Sequence, residues 1–205
     1  MEFVIMIFIL IMSVVVHEVA HGYAALALGD PTAKYAGRLT LNPLKHLDFV
    51  GSFLVPFISY QIGGFIVGWA KPVPFNPYNL RNQKWGEAIV AISGPLSNLI
   101  LALIFGLAIR ITSDYWWDSA IYQSFFGMAG FVVLINITLA IFNLIPIPPL
   151  DGSKILFTFL PYNKWQALRE FFEKYGLILV FFLVFFFWRF VIQIVVFLFR
   201  IFVGG

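Results

Sequence analysis

Four stretches of this 205-residue chain are too apolar and too long for an ordinary soluble fold: roughly residues 3–28, 87–109, 121–145 and 177–202. A helix needs about 20 mostly apolar residues to cross a bilayer. A fifth stretch, 51–69, is shorter and is broken by Pro56, Gly63, Gly64 and Gly68. Composition agrees, with 61% hydrophobic residues, 11% charged and 25 Phe. A soluble domain is about half apolar and a quarter charged. These features predict an all-α polytopic membrane protein with about four transmembrane helices. The first helix continues straight into HEVAHG without a signal-peptide cleavage pattern, so it is expected to be retained. No Cys is present, which excludes thiolate ligands and disulfides. A net charge of +3 gives no reason to expect a nucleic-acid partner. The expected surroundings are lipid.

Basic residues orient the helices. Residues 29–85 carry Lys34, Arg38, Lys45, Lys71, Arg81 and Lys84, and residues 143–175 carry Lys154, Lys164, Arg169 and Lys174. The connection TSDYWWDSA at 112–120 carries none. The positive-inside rule places the first two regions in the cytoplasm and the third outside. An even number of crossings must then separate residue 28 from residue 143 if the two ends are to meet. Helices 87–109 and 121–145 supply two, so 51–69 is expected to dip and return or to lie in the interface. Irregular backbone at such depth is tolerated where it is buried in protein or faces a water-filled cavity. Residues 34–47, KYAGRLTLNPLKHL, alternate briefly at 38–41 and turn at Asn42-Pro43, which predicts a small β-hairpin near the membrane boundary.

Chemistry concentrates at His17-Glu18-Val19-Ala20-His21. Two of the three His fall here. On a helix, positions i and i+4 share a face, so both imidazoles can grip one metal ion. Zinc suits nitrogen and oxygen donors and acidifies its bound water, and the adjacent Glu18 can take a proton from that water. A chance HExxH on an exposed helix is common, but here the motif interrupts an apolar helix. Ionisable groups at membrane depth are costly and point to function.

Two His leave a catalytic zinc one protein ligand short. Asp151 is the best-placed candidate, ahead of His46, which reads as an ordinary interfacial His. Pro146, Pro148 and Pro149 must end the preceding helix and make a rigid extended segment able to aim one carboxylate. A plain Asp-Gly turn is the competing reading. Gly94-Pro95 in the 87–109 helix permits close packing, and Asn98 is an amide that needs a partner.

These residues resemble, in order, the site-2 protease family of intramembrane metalloproteases. HEVAHG at 17–22 matches its HExxH, SGPLSN at 93–98 its GPxxN helix, and NLIPIPPLDG at 143–152 its Asn-to-Asp-Gly block. GWAKPVP at 68–74 is similar to a segment of small prokaryotic members, those without PDZ or CBS domains. The resemblance implies one Zn2+ per chain held by His17, His21 and Asp151, with Glu18 as catalytic base and acid. It places Asn143, and less directly Asn98, near substrate or the tetrahedral oxyanion. It implies a single membrane-embedded protease domain over 1–205, in a prokaryotic cell membrane, with its active site nearer the cytoplasm. The implied reaction is regulated intramembrane proteolysis of a membrane-spanning protein. Two other readings compete: a catalytically inactive metal-binding relative, and a metal or ion transporter built on midplane His, Glu and Asp. Arg189, in the middle of the last apolar stretch, snorkels, pairs with an acid, or marks an interface with a second copy.

Overall fold

The computed structural model describes residues 2–48, 50–54, 57–58, 61, 70–116, 120–160 and 162–204. Among these the regular structure is helical: α1 (Glu2–Ala27), α2 (Thr32–Tyr35), α3 (Gly86–Trp116), α4 (Ala120–Asn143), α5 (Asp151–Phe159) and α6 (Tyr162–Val203). Among the described residues four helices are long and apolar enough to cross a membrane: Val4–Ala27, Gly86–Thr112, Gln123–Asn143 and Trp165–Val203. They overlap the four apolar runs of the sequence. Helix α6 starts well before the apolar run because Arg169–Lys174 continue the helix with a polar surface, after a non-helical Trp165 (φ −121°, ψ 16°).

Helix α3 is the hub. It packs against α1, α4, α5 and α6. In hydrocarbon no hydrophobic force drives helices together, so small residues and buried amides must bring them close. Ala102, Ile109, Ala129, Val133, Ile137, Val191 and Val195 form one buried cluster from α3, α4 and α6. Gly106 lets α3 approach the backbone of Phe202, where a Cβ would come within 2.9 Å of its carbonyl oxygen. The opposite face of α6 exposes Phe181, Phe182, Phe185, Phe186 and Phe190, a surface suited to acyl chains rather than water.

The expected β-hairpin does not form. Residues 34–47 contain no strand. Their polar groups are satisfied by local side chains instead. The Asn42 side chain accepts from Leu44 N–H and caps a 3-10 turn over Pro43–Lys45, and the His46 ring bonds the Thr40 carbonyl at 2.9 Å. Gly37, at φ 64°, turns the chain after α2. Among the described residues no strand stands beside 38–41 to pair with it. The expected dip over 51–69 lies mostly outside the described residues; at its described start, Val50–Leu54 form a single π-helical turn.

Asp30 fastens the end of α1 to the loop that returns toward the site. It is fully buried. Its carboxylate accepts from Thr32 N–H and Oγ1–H, from Asn76 N–H at 2.7 Å and from Asn79 Nδ2–H at 2.8 Å. Burial acts to raise its pKa, but the hydrogen bonds from Thr32, Asn79 and Asn76 outweigh it and hold the carboxyl below the usual range. A depressed folded pKa contributes stability that is complete above about pH 4, the unfolded value, and is lost as pH falls through the lower folded value. Asp30→Asn, which cannot accept all four bonds, should cost about 2–3 kcal/mol near neutrality. In detergent, the stability gap between wild type and this variant should narrow as pH falls below about 4.

Candidate metal centre

Two turns of α1 and the first residue of α5 meet inside the bundle. His17 Nε2 and His21 Nε2 lie 3.0 Å apart, and Asp151 Oδ2 lies 3.1 Å from each. All three side chains are buried. Asp151 arrives there because Pro146, Pro148 and Pro149 cannot continue α4, and Leu150 is extended (φ −71°, ψ 152°) before α5 begins. As the first residue of α5, Asp151 also sits at the positive end of that helix. Gly152 lets the turn fold onto the carbonyls of Leu144 and Ile145, where any Cβ would clash.

The other ring nitrogens fix what these atoms offer. His21 Nδ1 lies 2.7 Å from the Val90 carbonyl, which can only accept, so Nδ1 carries the hydrogen. His17 Nδ1 lies 2.6 Å from Asn98 Oδ1 and likewise donates. Each neutral ring then presents a bare Nε2. With both rings neutral and in these tautomers, three lone-pair-bearing atoms face one another about 3 Å apart. A cation resolves the conflict. Zinc bonds of 2.0–2.1 Å in a tetrahedron set donor–donor edges near 3.3 Å, close to the observed triangle. Two imidazoles and one carboxylate also form a donor set that zinc favours, with a fourth position left for reacting species. The residues present therefore fit a catalytic zinc.

Glu18 does not join this group. It lies one residue around the helix, and its Oε2 accepts from Val73 N–H at 2.8 Å. That contact comes from a loop stretch tied down on both sides: Lys71 N–H donates to the His46 carbonyl at 2.8 Å, and Asn76 N–H donates to Asp30. His46 is buried, serves this loop, and stands outside the His17–His21–Asp151 group. Asn98 is fully buried, its carbonyl spent on His17 and its amide on the Ser13 carbonyl and Asn136. Asn143 ends α4 half-buried, its Nδ2 donating to the Leu139 carbonyl.

Two further residues act on this group: Lys154, which none of the motifs contains, and Gly94, which lies in SGPLSN. Lys154 Nζ lies 3.5 Å from Asp151 Oδ1 and leaves Oδ2 for the imidazoles. Gly94 is the closest. A Cβ there would sit 2.5 Å from His21 Cε1 and Nε2 and 2.7 Å from His17 Cε1. Glycine is thus what lets α3 lie against both rings.

The model of peptidase family M50 matches residues 5–121 and 108–187. The chain belongs to peptidase family M50, the site-2 protease family. Three relatives carry provisional names as zinc metalloproteases. YwhC of Bacillus subtilis is 38% identical over 174 residues, covering 82% of this chain and 74% of its own length. Rip2 of Mycolicibacterium smegmatis is 31% identical over 83% of this chain and 62% of its own length. MJ0611 of Methanocaldococcus jannaschii is 31% identical over 68% of this chain and 62% of its own length. No solved structure matches the chain.

For this M50 chain, Gly94→Ala should push the rings apart and weaken zinc binding by at least about tenfold. Competition against a chromophoric chelator measures the loss, and an unchanged far-ultraviolet spectrum shows that the helices persist.

Proposed function

We propose that this chain is an intramembrane zinc endopeptidase that cuts membrane-spanning proteins. The observation that carries the reading is the buried meeting of His17, His21 and Asp151 beside Glu18, on helices built to cross a membrane. At 1.5 Å per residue, His17 and His21 lie about 15 Å and 9 Å from the end of their span at Ala27. The basic residues of 29–85 put that end in the cytoplasm, so cleavage occurs in the cytoplasmic half of the bilayer. Residues 1–205 act as one membrane-embedded protease domain. The membrane is a prokaryotic cell membrane, and the substrates are membrane-tethered proteins released by regulated intramembrane proteolysis.

A helical peptide bond is shielded, since its carbonyl is hydrogen-bonded and side chains wrap it. The substrate must therefore unwind locally before cleavage. Zinc held by the three ligands supplies Lewis acidity toward the scissile carbonyl and the attacking water. Glu18 does the proton work. Its Oε2 is held by the Val73 amide, which leaves Oε1 to accept a proton as the water oxygen bonds to the carbonyl carbon. The same oxygen returns that proton to the amide nitrogen as the C–N bond breaks. No covalent enzyme intermediate is needed. Low-dielectric surroundings strengthen each of these charge interactions relative to water.

Two variants test the assignment. Glu18→Gln should bind zinc like the wild type but lose cleavage of a single-span substrate in proteoliposomes, by about 10²-fold or more. Asp151→Ala should lose both zinc and cleavage. Undiminished hydrolysis by purified Glu18→Gln contradicts the proposal, and a zinc-loaded wild type that cleaves nothing favours an inactive metal-binding relative.

A further inference from the structure

Ser13, Asn98 and Asn136 form a buried polar chain across α1, α3 and α4, in a region where every polar group must find a partner. We propose that Asn136 is a positioning residue that fixes the direction of the Asn98 amide, and through it keeps the hydrogen of His17 on Nδ1 and the metal-facing Nε2 bare. The inference rests on the metal-centre reading above.

The direction of each amide follows from its partners. Asn136 Nδ2 lies 2.9 Å from the Val132 carbonyl, which can only accept, so this end of the side chain is the NH2. It also donates to Ser13 Oγ at 2.9 Å. Oδ1 of Asn136 therefore faces Asn98 and accepts from its Nδ2 at 2.7 Å. A second acceptor, the Ser13 carbonyl, lies farther from that Nδ2, at 3.2 Å. With its NH2 so committed, Asn98 turns Oδ1 toward His17 Nδ1 at 2.6 Å, and that oxygen can only accept.

The relay is needed because Asp151 pulls the other way. Without metal, its carboxylate 3.1 Å from His17 Nε2 rewards a hydrogen placed on that nitrogen. A hydrogen there blocks the lone pair that a metal needs. Turning Asn98 over would allow this tautomer, since its NH2 would then face a bare Nδ1. In the present arrangement that turn sets Asn98 Oδ1 against two other oxygens, Asn136 Oδ1 and the Ser13 carbonyl. The closer of these is supplied by Asn136. Partners that orient a metal-bound His commonly act from its remote nitrogen. Here the orienting group is itself oriented, one helix further out.

The competing role is helix–helix adhesion, in which the amide pair only adds packing strength. Variants at 136 separate the two. Asn136→Leu removes the acceptor facing Asn98 without burying a new charge. Asn136→Asp keeps an oxygen opposite Asn98 Nδ2 but loses both donors, so it is the more damaging change for adhesion. The 205-residue chain in detergent, stripped of zinc and labelled with 15N in its three His, reports the tautomer of His17 by imidazole nitrogen shifts. Chelator competition reports zinc affinity.

The relay predicts that Asn136→Leu moves His17 toward the Nε2–H form and weakens zinc binding about 10–100-fold. Asn136→Asp should retain the Nδ1–H form and bind zinc nearly as well as the wild type, despite lower thermal stability. Adhesion alone predicts the reverse order, with the aspartate the weaker binder. Should leucine not be accommodated, Asn136→Ala carries the same expectation. A folded Asn136→Leu or Asn136→Ala with unchanged His17 tautomer and unchanged zinc affinity overturns the relay. Failure of the wild type to bind stoichiometric zinc overturns the metal centre itself, so the two failures are told apart.

Discussion

Three electron-pair donors held about 3 Å apart, buried between helices, form the constraint around which this protein is organised. Left without a cation, the two bare ring nitrogens and the carboxylate repel one another, and in a medium of low dielectric that repulsion is large. The fold holds them together because each is anchored from behind. The Val90 carbonyl holds His21, Asn98 holds His17, and Lys154 holds the second oxygen of Asp151. The strength of those anchors is the strength of the site.

The anchors explain features of the bundle that packing alone does not. Gly94 gives α3 room to lie against the imidazoles, and Pro95 follows it inside the same helix. The prolines between α4 and α5 end one helix and aim the next at the pair of rings. Asp30 and the 71–76 loop stretch set Val73 against Glu18, so the proposed proton carrier is held in place from outside α1. The two ligand helices, the orienting amide of Asn98 and the backbone amide that holds Glu18 thus come from separate stretches of chain.

Much of this is legible in the sequence, for identifiable reasons. Long apolar runs have one physical solution in lipid, so the four helices follow from length and hydropathy. The i, i+4 spacing of His17 and His21 is enough by itself to put both rings on one helix face. The hairpin expected over 34–47 fails because short alternation at 38–41 also fits an irregular turn. There, Asn42 and His46 satisfy the backbone that a strand partner would otherwise have needed. Asn98 stands out in the sequence as a polar residue needing a partner, but its attachment to His17 does not. Gly94 stands out in the sequence as a close-packing position, but which side chains it meets does not, and the part played by Asn136 depends on which end of an amide points where. Neither of these has a pattern along the chain.

X-ray absorption at the zinc edge of the purified protein tests the central claim most directly. The account predicts one zinc per chain with a first shell of nitrogen and oxygen at about 2.0–2.1 Å. It also predicts the outer-shell scattering of two imidazole rings, with both ring signatures lost when His17 and His21 are replaced. A protein that takes up no zinc, or a zinc shell of oxygen atoms alone, would contradict it.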